Sequence, residues 1–261
     1  MAAIETNRLT RKFGELTAVN RINLQVQEGE LFGFLGPNGA GKTTTLNMLC
    51  TLLAPTSGSA RVNGFDVQSQ PDEVRRSIGM VFQDPSLDEE LTGWENLELH
   101  AEMYGMRNAA PRIHEMLQLV DLEEKRNNQV KEYSGGMKRR LEIARGLIHH
   151  PRVLFLDEPT LGLDPQTRRH IGEYVKKMNR KEKVTVILTT HYLEEADNLC
   201  DRIAIVDYGK VVALDTPKKL KKKHGGGTLE DVFIKLTGRE IREEKGNAME
   251  GFRARVRAMR R

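Results

Sequence analysis

Gly36-Pro37-Asn38-Gly39-Ala40-Gly41-Lys42-Thr43 decides how the rest of the chain is read. An apolar run, Leu31-Phe32-Gly33-Phe34-Leu35, precedes it and has the pattern of a short buried strand. After it, Thr44, Thr45, Leu46, Met48, Leu49, Leu52 and Leu53 fall at helical spacing. Strand, glycine loop and helix are the context in which G-x-x-x-x-G-K-[ST] means a phosphate-binding loop. The glycines let the backbone curl until successive N–H groups point inward, and the helix start adds its positive dipole end. Lys42 is then placed for the β- and γ-phosphates of a nucleotide, and the Thr43 hydroxyl for Mg²⁺.

Working outward, the 261 residues suffice for one large α/β domain, and 38% hydrophobic with 30% charged residues describes a globular chain. No apolar run approaches the roughly 18 residues of a membrane helix, and the first residues lack the apolar core of a secretion signal. Lys+Arg 41 against Asp+Glu 37 leaves a net charge of +4, too small and too evenly spread to argue for nucleic acid. Cys50 and Cys200 have no CxxC or CxxH neighbour and read as buried apolar residues of a cytosolic protein.

Strands are expected at Ile4–Leu9 and Ile22–Val26, with a turn at Phe13-Gly14 between them. Two further strands flank Asn63-Gly64, a hairpin signal, and Ile78–Phe82 is another, ending at Gln83. From residue 84 to about 144 the pattern turns helical, with capping-box spacing at Thr92-Gly93-Trp94-Glu95 and Pro111 in a first turn. Ser134 reads as the N-cap of a helix that ends before Pro151. Val153–Leu156 has the continuous apolar character of a parallel strand covered on both faces. Asp164-Pro165 opens a helix to about Met178, and a strand, a helix and a hairpin around Tyr208-Gly209 follow. This alternation implies an α/β fold, a mainly parallel sheet with the ligand at the carboxyl ends of its strands.

Asp157-Glu158 stands at the end of the Val153–Leu156 run, where a carboxylate needs a cation or hydrogen-bond donors. Mg²⁺ shared with Thr43 fits Asp157, and Glu158 beside it is placed to polarise a water. Tyr133-Ser134-Gly135-Gly136-Met137 resembles the signature motif of ATP-binding-cassette (ABC) ATPases. The phosphate loop, Gln83, this signature, Asp157-Glu158, Leu163-Asp164 and His191 follow in that family's order over roughly residues 1 to 215. Tyr133 and Met137 depart from the commonest signature, Leu-Ser-Gly-Gly-Gln. With Lys138-Arg139-Arg140-Leu141-Glu142 after them, they resemble the daunorubicin-resistance type of exporter ATPase.

The resemblance implies a P-loop NTPase core with an N-terminal antiparallel β subdomain and a helical insert. Residues 1–215 would form the ATPase domain, with the insert at about 84–144, and 216–261 a helical extension. It implies ATP and Mg²⁺ as ligands, with Gly36, Pro37, Asn38, Gly39, Ala40, Gly41, Lys42, Thr43 and Thr44 around the phosphates. Phe13 would stack on the adenine. Thr43, Gln83 and Asp157 would hold the metal, while Glu158, Gln83 and His191 would act on the attacking water and γ-phosphate. Ser134, Gly135 and Gly136 would complete the site of an opposite subunit, a second copy or a related ATPase. The implied role is ATP hydrolysis that energises export through a separate membrane permease, from the cytoplasmic face. An importer subunit, or an ATPase without a permease, shares the same hydrolytic residues.

The tail divides into a basic run at Lys218–His224, a Gly225-Gly226-Gly227 hinge, and an apolar face formed by Leu229, Val232, Phe233 and Leu236. Thr228–Phe233 resembles the C-terminal helix of the same exporter ATPases. Met249, Phe252, Val256 and Met259 then alternate with arginines, the pattern of a basic amphipathic helix for an anionic surface or a permease.

Overall fold

The computed structural model describes residues 1–83 and 86–238. Strands β1 (Ala2–Phe13) and β2 (Leu16–Gln27) pair as an antiparallel hairpin. Both run beyond their apolar centres, because ladder hydrogen bonds continue through polar residues that face water on one side. β3 (Leu31–Leu35) leads through the glycine loop into α1 (Lys42–Leu49). β4 (Ser57–Val62) and β5 (Phe65–Asp66) join at Asn63-Gly64, both at positive φ as a tight hairpin turn requires. A helix the apolar pattern does not announce follows, α2 (Pro71–Ser77). Its signals are terminal ones: proline in the first turn with Asp72 and Glu73, then Arg75 and Arg76 in the last.

After β6 (Ile78–Val81) come α3 (Gly93–Met103), α4 (Ala110–Leu119) and α5 (Gly135–Leu147), and then β7 (Val153–Asp157). The Thr92–Glu95 capping box forms, and Ser134 caps α5 by accepting from the Met137 N–H at 3.2 Å. The remainder is α6 (Pro165–Glu182), β8 (Thr185–Thr190), α7 (Leu193–Leu199), β9 (Arg202–Asp207), β10 (Lys210–Asp215), α8 (Pro217–Lys223) and α9 (Leu229–Thr237). Helix α6 continues past Met178 because its polar last turn carries Arg180 and Lys181 at the negative dipole end. Glu182 in that turn pairs with Arg112 of α4 at 2.9 Å. Among the described residues, no helix is long and apolar enough to cross a membrane. The arginine-rich stretch with Met249, Phe252, Val256 and Met259 lies outside the described residues.

Two sheets result: an antiparallel one in the order β2-β1-β4-β5, and a six-stranded one in the order β10-β9-β3-β8-β7-β6. In the second, β6, β7, β8, β3 and β9 are parallel and β10 closes the edge antiparallel. Alternation along its strands divides the core. Phe32, Phe34, Val153, Phe155 and Ile187 pack with α1 and the antiparallel sheet. Leu31, Leu35, Leu154, Leu156 and Leu188 pack with α5, α6 and the helices between β6 and β7. Covered on both faces, these strands read as unbroken apolar runs. Leu220, Leu229, Val232 and Phe233 bind α8 and α9 to that second core. Register then places the chemistry, since Leu35 lies opposite Thr190 and Asp157 opposite Thr189. The carboxyl ends of β3, β7 and β8 therefore finish level with one another.

Candidate active site

The loop after β3 passes where no side chain fits. A Cβ at Gly36 would lie 2.3 Å from the Val206 carbonyl oxygen. At Gly41, φ is +99° and a Cβ would lie 2.4 Å from the Ala18 carbonyl oxygen. Gly41 is also the N-cap of α1, so no side chain caps that helix, and its first turn holds no acidic residue. With no side-chain cap and no acidic residue of its own in the first turn, the start of α1 keeps N–H groups and a positive dipole end that favour an anion.

Lys42, the first residue of α1, is 6% exposed. Its ammonium donates to the carbonyls of Gly36 at 2.7 Å and Pro37 at 3.3 Å, and lies 3.9 Å from Glu158 Oε1. Burial lowers its pKa, against the opposing pull of Glu158 and Asp157. The Thr43 hydroxyl donates to Asp157 Oδ2 at 3.2 Å, and the Thr189 hydroxyl donates to Asp157 Oδ1 at 2.5 Å. Asp157, 3% exposed, has its carboxyl pushed up by burial, which these hydroxyls and Lys42 only partly offset.

Glu158 follows at φ 49°, the left-handed region that a non-glycine residue adopts at a cost of order 1–3 kcal/mol. The backbone is held there from β8, as the Glu158 N–H donates to the Thr189 carbonyl at 3.1 Å and hydroxyl at 3.0 Å. The Glu158 side chain meets His191, with Nδ1 3.1 Å from Oε2. Burial alone would raise the Glu158 carboxyl; the His191 hydrogen bond and the Lys42 charge outweigh it and hold it below the usual range. Hydrogen bonds therefore join Thr43, Asp157, Thr189, Glu158 and His191 from three strand ends, and Lys42 adds an ion pair to Glu158 at 3.9 Å.

Other residues singled out in the sequence stand apart. Phe13 is half-buried at the tip of the first hairpin, with the Arg11 guanidinium over its ring at 4.6 Å. Gln83 follows β6, and its side chain makes no hydrogen bond to the group among the described residues. Ser134 and Gly135 are exposed at the start of α5, and Gly136 abuts α6, where a Cβ would meet Thr167 Cγ2 at 2.5 Å. Thr189 carries no local sequence signal for this role, and Arg139 enters the sequence pattern only as part of the motif variant. The available signal for Arg139 was charge on the buried stripe of α5, where Arg139 and Glu142 lie among Leu141, Ile143 and Leu147.

A family model described as ABC transporter matches residues 19–161. With this sheet and this loop, the chain belongs to the ABC transporter family and has the fold and ATP-hydrolase class of its ATPases. Among its relatives, the daunorubicin/doxorubicin resistance ATP-binding protein DrrA of Streptomyces peucetius is 46% identical over 229 residues, covering 87% of this chain and 69% of that protein. The linearmycin resistance ATP-binding protein LnrL of Bacillus subtilis (strain 168) is 40% identical over 242 residues, covering 92% of this chain and 76% of that one. Of solved structures, an ATP-binding subunit of an ABC transporter superposes with TM-score 0.80 at 29% identity, over 90% of this chain and 99% of that chain. The dimeric ATP-binding cassette MJ0796, in a post-hydrolysis state with ADP and Pi, superposes with TM-score 0.72 at 32% identity, over 82% and 98% of the two chains.

Proposed function

We propose that the chain is the ATP-hydrolysing subunit of an exporter and energises passage of a drug-like or lipid-like compound through a separate membrane permease. The observation that carries this is the single bonded group of Lys42, Thr43, Asp157, Glu158 and His191 in a chain related to drug-resistance ATP-binding proteins. Lys42 and the N–H groups at the start of α1 neutralise the β- and γ-phosphate oxygens. Glu158 is ionised at neutral pH and accepts a proton from the water that attacks the γ-phosphorus; the bond to the β-phosphate oxygen breaks, leaving ADP and phosphate. His191, with its proton on Nδ1, donates to Glu158 Oε2 and fixes that carboxylate.

The donor set at Thr43 and Asp157 suits Mg²⁺: a hydroxyl and a buried carboxylate, hard oxygens meeting at 3.2 Å. Among the described residues, no cluster of three or more acidic, His or Cys side chains could hold a metal unaided. That matches a cation shared with phosphates better than a resident protein cage. When bound, Mg²⁺ supplies charge neutralisation on the phosphates.

Ser134, Gly135 and Gly136 are assigned to the γ-phosphate held by an opposite subunit, a second copy or a related ATPase. A Cβ at Gly135 would meet nothing nearer than 3.6 Å, so packing within the chain does not demand glycine there, whereas close approach by a phosphate does. Phe13 is assigned to adenine and Gln83 to the metal and the water. The permease partner places the chain peripherally at the inner face of the cell membrane. Glu158→Gln tests the reading: nucleotide affinity is expected within about threefold of the parent, with turnover down by at least about 100-fold. Turnover within tenfold of the parent would refute Glu158 as the base.

A further inference from the structure

Arg139, Glu142 and Arg145 stand at successive i, i+3 positions on one face of α5, just behind the signature. Arg139 and Glu142 are 6% and 2% exposed. The Arg139 guanidinium spreads over acceptors from three parts of the chain. Its Nη1 donates to the Phe82 carbonyl at 2.7 Å and to Glu142 Oε2 at 2.9 Å. Its Nη2 donates to the Gln83 carbonyl at 3.1 Å and the Glu158 carbonyl at 3.4 Å. Glu142 Oε1 accepts from the Ser86 N–H at 2.9 Å. Arg145 donates from Nη1 to the Ser86 carbonyl at 2.5 Å and from Nη2 to the Ser86 hydroxyl. One helix thus grips residues 82, 83 and 86 together with the backbone of Glu158.

Stability is a poor reason for this arrangement. Desolvating an ion pair cancels most of its attraction, and apolar residues of similar volume commonly do as well. Burial indeed pushes the Glu142 carboxyl up despite its arginine partner. What the pair supplies is geometry: a planar fork that fixes several carbonyls at once, which a lysine ammonium cannot reproduce. The held carbonyls belong to Gln83 and to Glu158, whose backbone already sits in a strained conformation.

We propose that Arg139, oriented by Glu142, is a positioning residue that sets Gln83 and Glu158 relative to each other and ties both to the helix that presents Ser134. This rests on the hydrolytic reading of Glu158. In a two-subunit sandwich, α5 then serves two sites: its first turn faces the partner's nucleotide while Arg139 aligns the groups that act on its own. Closure at one site is thereby transmitted to the hydrolytic geometry of the other.

The test measures nucleotide affinity and turnover in the full chain for two variants. The double variant Arg139→Met with Glu142→Leu removes both members of the buried pair, with Arg145 still bonded to Ser86. Arg139→Lys keeps the ion pair but loses the fork. In each variant that folds, the expected result is turnover at saturating ATP at least fivefold below the parent, with nucleotide affinity within threefold. A smaller fall in turnover overturns the proposal, as does a loss of affinity beyond threefold. Failure of both variants to fold also overturns it, by making the pair a requirement of the fold. Glu158→Gln is run alongside: if the parent shows no turnover that Glu158→Gln suppresses, the hydrolytic reading fails instead.

Discussion

Thr189 ties the Asp157 carboxylate to the backbone of Glu158, donating to Asp157 and accepting from the Glu158 N–H through the same hydroxyl. Thr189→Val keeps the shape and the β8 ladder but removes that hydroxyl. A loss of about 1–3 kcal/mol in stability is expected, accompanied by reduced turnover, as read by denaturant unfolding and phosphate release. Glu195 on α7 is another buried carboxylate, accepting from the Thr160 and Thr190 hydroxyls at 3.0 and 2.8 Å. Burial raises its pKa above the usual 4.5, with the two hydroxyls, Arg168 and His191 pulling the other way. A raised carboxyl means the folded state binds the proton more tightly, so this group's contribution falls as pH climbs from 4.5 through the folded-state pKa. Thermal melting of Glu195→Gln should show it gaining on the parent as pH rises from 4 to 8. A parallel pair of pH profiles would contradict that. At this scale the phosphate loop and Asp157-Glu158 stood out through local patterns, and His191 only through the family's order. Thr189, Arg139 and Glu195 did not, because their meaning comes from register and from a partner far away in the chain.

At the scale of elements, legibility followed local chemistry. The Asn63-Gly64 hairpin, the Thr92 and Ser134 caps and the Asp164-Pro165 start all form as their residues dictate. The long first hairpin and α2 were harder to see, since their extent is fixed by ladder pairing and terminal charges and not by an apolar period. The Thr92 hydroxyl accepts from the Glu95 N–H at 3.1 Å, and the Thr92 N–H donates to Glu95 Oε2 at 2.7 Å. Thr92→Ala should cost about 1 kcal/mol, and so lower the melting midpoint by about 2–4 °C. An unchanged midpoint would show that tertiary packing alone holds the start of α3.

Across the whole molecule, the sheet order brings the carboxyl ends of β3, β7 and β8 level, and the proposed function makes the loops that leave them one half of a nucleotide cage. In the proposed reading the exposed start of α5 supplies the other half, to the site of an opposite subunit. Sequence order alone does not show this division, because Ser134 precedes Glu158 by only one helix and one strand. On that proposal a single chain holds ATP without enclosing it, and enclosure requires a second copy or a related ATPase. The most direct measurement is the solution mass of Glu158→Gln by light scattering, with and without ATP and Mg²⁺. The expected result is the mass of one chain without nucleotide and of two chains with saturating ATP, with Ser134→Arg in the same background remaining at one. A Glu158→Gln chain that binds ATP yet stays at the mass of one chain would contradict the shared cage.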